Sequence, residues 1–175
     1  MFNSAVLRTP CLRFVRRVHK WMLDVEGHDY RTTSPLSVVS ARPGYMDARF
    51  SVKPEHLNRA GTMHGGVVMT LIDSGGSLAV ATNGYRNTGV STDINATFAR
   101  PAGKAGDVIR VTSEIISMGK TLAYTRTELR DVDSNELLAY GSHTKYIRMG
   151  SKATDNVTFN KTGENVVSGK MPEGA

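Results

Sequence analysis

Between His64 and Thr82 one apolar run is broken from inside by an acid and two adjacent glycines, and that conflict limits what the chain can become. Val67, Val68, Leu71, Ile72, Leu78, Ala79 and Val80 suit a helix, whereas Asp73-Ser74-Gly75-Gly76-Ser77 is also a respectable turn signal. Periodicity leaves the choice open. Read as one helix closed by Gly84, each interior glycine costs roughly 1 kcal/mol against alanine, a cost usually met where another backbone approaches closely. Asp73 sharpens the point. A carboxylate in an apolar run is either paired, exposed at a seam, or used.

Around that run the chain is rich in strands. Leu36 to Ala41 and Tyr45 to Val52 flank Arg42-Pro43-Gly44 and read as a hairpin, followed by an ordered polar loop from Lys53 to Gly61. Val90 to Phe98 alternates, with Val90, Ile94, Ala96 and Phe98 on one face and Ser91, Asp93, Asn95 and Thr97 on the other. After the loop from Arg100 to Gly106, strands are expected at about Asp107 to Ser117, Thr121 to Arg130 and Leu137 to Arg148. Hairpin, helix and antiparallel strands in that order make an α+β layout in which a single helix covers a broad sheet.

The 175 residues fit one domain, here residues 36–148, between an N-terminal basic segment (1–35) and a C-terminal tail (149–175) whose Gly, Ser, Asn, Thr and Lys content predicts mobility. No apolar run approaches the roughly 18 to 20 residues of a membrane span. The net charge of +6 favours anionic ligands, but no nucleic-acid-binding motif accompanies it. Cys11 is alone and suits a reducing compartment, and the five histidines lack metal-binding spacing. Arg8, Arg13, Arg16, Arg17 and Lys20 precede the first acid, Asp24, as in a mitochondrial presequence, with the cytoplasm as the alternative location. Leu12, Val15, Val18 and Met22 in the same stretch recur at helical spacing and equally describe a docking helix, with Pro10 near its first turn.

Several motifs in fixed order carry a resemblance. His64-Gly65-Gly66 entering a helix that holds Asp73, then Gly89-Val90-Ser91-Thr92-Asp93-Ile94-Asn95, Arg100-Pro101-Ala102, Gly119-Lys120-Thr121-Leu122-Ala123 and Gly141-Ser142-His143-Thr144-Lys145, resemble the PaaI-type hotdog acyl-CoA thioesterases. Within them the match is to the small eukaryotic acyl-CoA thioesterases associated with mitochondria, over about Leu12 to Ile147. The resemblance implies a hotdog fold, one long central helix wrapped by a curved antiparallel sheet, with the helix continuous through Gly75 and Gly76. It also implies a homodimer that forms the active sites, often paired into a homotetramer, and an acyl-CoA substrate whose coenzyme A portion leaves no need for a separate cofactor. Positions matching Asn58, His64, Gly65, Asp73 and Ser91 line the family's site. Coenzyme A contacts are implied near Asp93, Phe98, the turn Ser117, Met118, Gly119, Lys120, Thr121 and Leu122, and Tyr146. Arg100, Lys120 and Lys145 are the cations expected to meet its phosphates.

Thioester hydrolysis needs a polarised carbonyl and a water or carboxylate aimed at its carbon. The helix N-terminus at Gly65 offers unpaired N–H groups and a bare backbone for the first need. Asp73 is the candidate general base or nucleophile for the second. Asn58 is expected to hold the water or the carboxylate, His64 to order the helix start, and Ser91 to hydrogen-bond the attacking water. Eight residues of helix separate Gly65 from Asp73 by roughly 12 Å, too far to serve one carbon, so two antiparallel helices of a two-fold dimer are required. An Asp73 salt-bridged within its own protomer and remote from any partner's glycine pair would overturn this scheme. Two other functions compete: a hotdog enoyl-CoA hydratase or dehydratase using His64 with Asp73, and a non-catalytic acyl-CoA binder in which Asp73 is structural. Met63, Met69, Ile72 and Phe98 are the apolar pocket candidates, and they admit a medium or long aliphatic chain or an aromatic acyl group.

Overall fold

The computed structural model describes residues 9–174. Strands β1 (Leu36–Arg42), β2 (Tyr45–Ser51), β3 (Val90–Phe98), β4 (Val108–Met118), β5 (Leu122–Asp131) and β6 (Leu137–Tyr146) form one antiparallel sheet in the order β1-β2-β4-β5-β6-β3. Helices α1 (Pro10–Leu23), α2 (His28–Thr33) and α3 (Gly65–Ala81) accompany it, and α3 lies against β2 through β6. This is the hotdog arrangement, with α3 as its filling.

The conflict inside α3 is resolved in favour of one continuous helix. Leu71, Ile72, Leu78, Ala79 and Val80 are fully buried, and so are Gly75 and Gly76. What comes close to the glycines is side chains rather than the expected backbone. A Cβ on Gly75 would collide with Ser113 and Thr127, and one on Gly76 would lie 2.6 Å from Thr125 Oγ1 and 2.7 Å from His143 Nδ1. The glycine pair therefore lets a helix settle onto a polar strip of β4, β5 and β6, trading helix propensity for contact. Ser113 and Thr127 pair with each other at 2.8 Å within that strip, so their hydroxyls are not left unsatisfied.

Three features depart from the expected layout. First, β3 carries a bulge: Ser91 pairs with Lys145 and Asp93 with Thr144, leaving Thr92 without a partner position. One extra residue reverses the alternation, so Ser91 joins Ile94 on the face toward α3 instead of Asp93 on the outer face. Second, α2 was not expected. Third, residues 149–174 are folded rather than a mobile tail, with a short hairpin of β7 (Thr158–Phe159) and β8 (Val166–Ser168). The polar composition hid Val157 and Phe159, which are 2% and 8% exposed; Phe159 stacks edge-on against Phe14 of α1 with centroids 5.7 Å apart.

At the N-terminus, Thr9 caps α1 by accepting from the Leu12 N–H, and Pro10 occupies the first turn. Cys11, Leu12, Phe14 and Val15 are fully buried, so α1 is part of the core. It also covers the β1 end of the sheet, where Arg16 Nε donates to the Val38 carbonyl at 2.9 Å. The opposite edge, β3, pairs only with β6 among the described residues and leaves Val90 and Phe98 64% and 55% exposed.

Candidate active site

The expected site residues fall into two groups on one protomer. At the helix tip, His64 is the N-cap of α3, its Nδ1 accepting from the Gly66 N–H at 2.8 Å while its backbone carbonyl accepts from Val67. Among the described residues the Gly65 N–H has no acceptor, and the Phe98 ring lies over its Cα side. A free amide at a helix N-terminus is a ready donor to a carbonyl oxygen that gains negative charge. Asn58 stands at this end also, but its side chain is spent on its own loop, with Oδ1 accepting from Ala60 N at 2.8 Å and Nδ2 donating to Thr62 Oγ1 at 3.1 Å. It therefore shapes the approach to the helix tip and is not within its own protomer's reach of Asp73.

The second group lies midway along α3. The Asp73 side chain is 44% exposed, and its Oδ1 gathers three neighbours: Ser91 Oγ at 3.5 Å, His143 Nδ1 at 3.6 Å and Lys145 Nζ at 4.0 Å. These contacts are long and the carboxylate is open to solvent, so it is steered by its own protomer without being sealed by it. No hydrogen bond involves Oδ2 among the described residues. His143 is fully buried, 2.9 Å from Ser91 Oγ through Nε2, with Nδ1 making no hydrogen bond. Burial, then the Lys145 ammonium, pushes its pKa down to about 4, so the ring is neutral near pH 7.

Two expectations are corrected here. Lys145 is 3% exposed beneath α3 and donates to Ser77 Oγ at 2.8 Å, so it is not placed to meet a phosphate. The cause is the β6 alternation, which turns His143 and Lys145 inward and leaves Thr144 and Tyr146 half-buried on the other face. Met63 and Ile72, at 3% and 0% exposed, are core residues, leaving Met69 and Phe98 of the acyl-pocket candidates accessible in one protomer. His143 is the residue that sequence reasoning missed. The run from Gly141 to Lys145 is polar at every position, and a strand polar on both faces is the signal that its inner face is doing something other than packing.

The remaining candidates are divided between the ends of the molecule. Ser117, Gly119, Lys120 and Thr121 are exposed on the β4–β5 turn, with Met118 and Leu122 half-buried beside them. Leu122 and Val90 both pair with Tyr146, which places that turn at the Val90 end of β3. Phe98 and Arg100, the latter paired with Glu136 at 2.9 Å, are at the other end, some 25 Å away along the strand. Asp93 is exposed on the outer face. Neither His64 with Asp73, nor Gly65 with Asp73, is brought together within one chain.

Comparison with known proteins places this architecture. The thioesterase superfamily profile matches residues 60–138. The chain is 38% identical over 133 residues to mouse acyl-coenzyme A thioesterase 13, covering 76% of this chain and 94% of that protein. A putative esterase of Schizosaccharomyces pombe is 37% identical over 140 residues, 80% of this chain and 86% of its own. The crystal structure of zebra fish thioesterase superfamily member 2 superposes with a TM-score of 0.70 at 35% identity, over 75% of this chain and 94% of that one. With a buried central helix in a six-stranded wrap and relatives matched over nearly their whole length, this chain belongs to the thioesterase superfamily.

Proposed function

We propose that the protein hydrolyses acyl-CoA to the free acid and coenzyme A, acting on medium- to long-chain fatty or aromatic acyl groups at two equivalent sites of a homodimer. The observation that carries this reading is the separation of a free helix-tip amide at Gly65 from an open carboxylate at Asp73 on one chain, alongside a bare sheet edge at β3. An exposed strand edge is a template for pairing, and two-fold pairing of antiparallel helices sets Gly65 of one protomer opposite Asp73 of its partner.

In that site the thioester oxygen accepts from the Gly65 N–H, and the helix dipole favours the charge that develops on it. The partner's Asp73 removes a proton from water as the water oxygen bonds to the carbonyl carbon. Collapse of the tetrahedral intermediate breaks the C–S bond, and the departing thiolate takes up the proton held by Asp73, which returns to its carboxylate form. Ser91 orients the water. With the single proton of neutral His143 on Nδ1, facing Asp73, Nε2 accepts from the Ser91 hydroxyl and leaves the Ser91 lone pairs for the water. The similarity of Ser91, His143 and Asp73 to a nucleophilic triad is limited by the weak basicity of His143, a poor acceptor for a serine proton. A hydratase role needs a histidine that meets substrate, whereas His143 is sealed and His64 is committed to its cap.

Coenzyme A is assigned to the Ser117–Leu122 turn with Lys120 and Tyr146, and to Asp93, Phe98 and Arg100, where exposed cations and turn amides suit phosphates. Pairing of two dimers into a homotetramer is supported by the outer sheet face, where Ile116 and Tyr124 are 61% and 45% exposed beside a groove of about 410 Å³. Mitochondrial location is supported by the basic N-terminal stretch, of which residues 1–8 lie outside the described residues. Thiol release measured across acyl-CoA lengths on wild type and Asp73→Asn tests the reading. The expected result is turnover by wild type and a fall of about 100-fold or more in kcat for the variant; binding without turnover in either, or full activity of Asp73→Asn, overturns it.

A further inference from the structure

We propose that Lys145 is a positioning residue for Asp73: its ammonium, anchored beneath α3 by Ser77, holds Oδ1 so that Oδ2 is the atom presented to water. The proposal rests on Asp73 being the group that activates water. Three of the groups nearest the carboxylate, Ser91, His143 and Lys145, all converge on Oδ1, and no described residue bonds Oδ2. A carboxylate so placed has one oxygen facing three polar groups and the other without a hydrogen bond.

An ammonium in this place is unfavourable for stability alone. Lys145 is 3% exposed with one hydrogen bond, to Ser77 Oγ, for three donors. Taking an ammonium out of water costs several kcal/mol unless nearby groups offset it, so its value lies in what it faces. Burial works against the charged form, and the two carboxylates that support it are Asp73 and Asp29. Asp29 belongs to α2, and its Oδ1 accepts from Ser74 Oγ at 3.2 Å, while His28 of the same helix is 2.8 Å from Thr70 Oγ1. Thus α2 grips α3 three residues before Asp73 and one residue after it, and Lys145 with Ser77 holds the next turn from below. With the backbone pinned on both sides, only the side-chain torsions of Asp73 remain to be set, and the ammonium sets them.

The test compares full-length wild type, Lys145→Met, Ser77→Ala and Asp73→Asn by thiol release from one acyl-CoA over pH 5 to 9. The groups facing Asp73 are Ser91 from β3 and His143 and Lys145 from β6, with Asp29 of α2 facing Lys145 and Asp93 of β3 acting on His143. Lys145→Met is expected to lower kcat about 10-fold or more with KM within about two-fold, and to move the acid limb of kcat/KM to higher pH by about half a unit or more. A purely structural lysine would lower melting temperature without moving that limb. Wild-type kcat and an unmoved acid limb in Lys145→Met, with Asp73→Asn inactive, overturn this proposal alone. Full activity of Asp73→Asn overturns instead the reading on which it rests. If Lys145→Met does not fold, Ser77→Ala decides: a smaller shift of the limb in the same direction supports the anchor, and an unchanged profile refutes it.

Discussion

Ser91 and His143 meet at 2.9 Å on paired strands only because Thr92 bulges out of β3 between them and the regular register. Without that residue Ser91 would face away from α3. Ser91→Ala is expected to lower kcat about 10-fold or more and, because it leaves the buried His143 Nε2 without its partner, to destabilise by about 1 to 3 kcal/mol. Thiol-release kinetics and a melting curve on the same preparation separate the two effects.

The glycines at the start and middle of α3 should respond oppositely to alanine. At Gly65 a Cβ would sit 3.5 Å from the Phe98 ring, an ordinary contact, so Gly65→Ala is expected to fold at least as stably as wild type but to lose about 10-fold or more in kcat/KM where substrate must approach the backbone. At Gly76 the same methyl would strike Thr125 and His143, so Gly76→Ala is expected to destabilise by about 1 to 3 kcal/mol despite better helix propensity. Urea denaturation gives the stabilities.

A shared site predicts complementation. Gly65→Ala and Asp73→Asn homodimers each carry two defective sites, whereas a mixed dimer carries one intact site and one doubly defective site. Random reassortment after mixing, unfolding and refolding is expected to restore about a quarter of wild-type activity. Activity no higher than the average of the two parents shows that each site belongs to one chain.

Acid should unfold the protein from within. The His143 ring titrates near 4 when folded and at its ordinary value of 6.5 when unfolded, so the unfolded chain binds a proton that the folded one resists. Stability from this group is complete above pH 6.5 and falls as pH drops toward 4, by up to about 3 kcal/mol. Burial lowers His19 and His56 in the same direction. Urea midpoints measured between pH 7 and 4.5 are expected to fall steeply, and less steeply in His143→Gln.

Much of this architecture is legible in the sequence because the strands alternate and the turns carry Pro, Gly, Asn and Asp. The helix through Gly75 and Gly76 is not, since nothing local reveals the hydroxyls of Ser113, Thr125 and Thr127 waiting opposite. The candidate site divides in the same way. Gly65, His64 and Asp73 announce themselves through the helix start and the misplaced acid, whereas the inward turn of Ser91 depends on a bulge that alternation cannot show. Lys145 reads as a solvated cation because lysines usually are; only the register of β6 under α3 makes it a buried one. Residues 149–174 mislead through composition, as a few well-spaced apolar groups suffice to dock a hairpin.

That hairpin ties α1 to the segment that follows β6: the Gly163 carbonyl accepts from the Cys11 N–H at 3.1 Å, and Phe159 closes over Phe14. Because Cys11 and Phe14 are covered by a segment about 150 residues later in the chain, the apolar flank of α1 is closed only after every strand of the large sheet has been made.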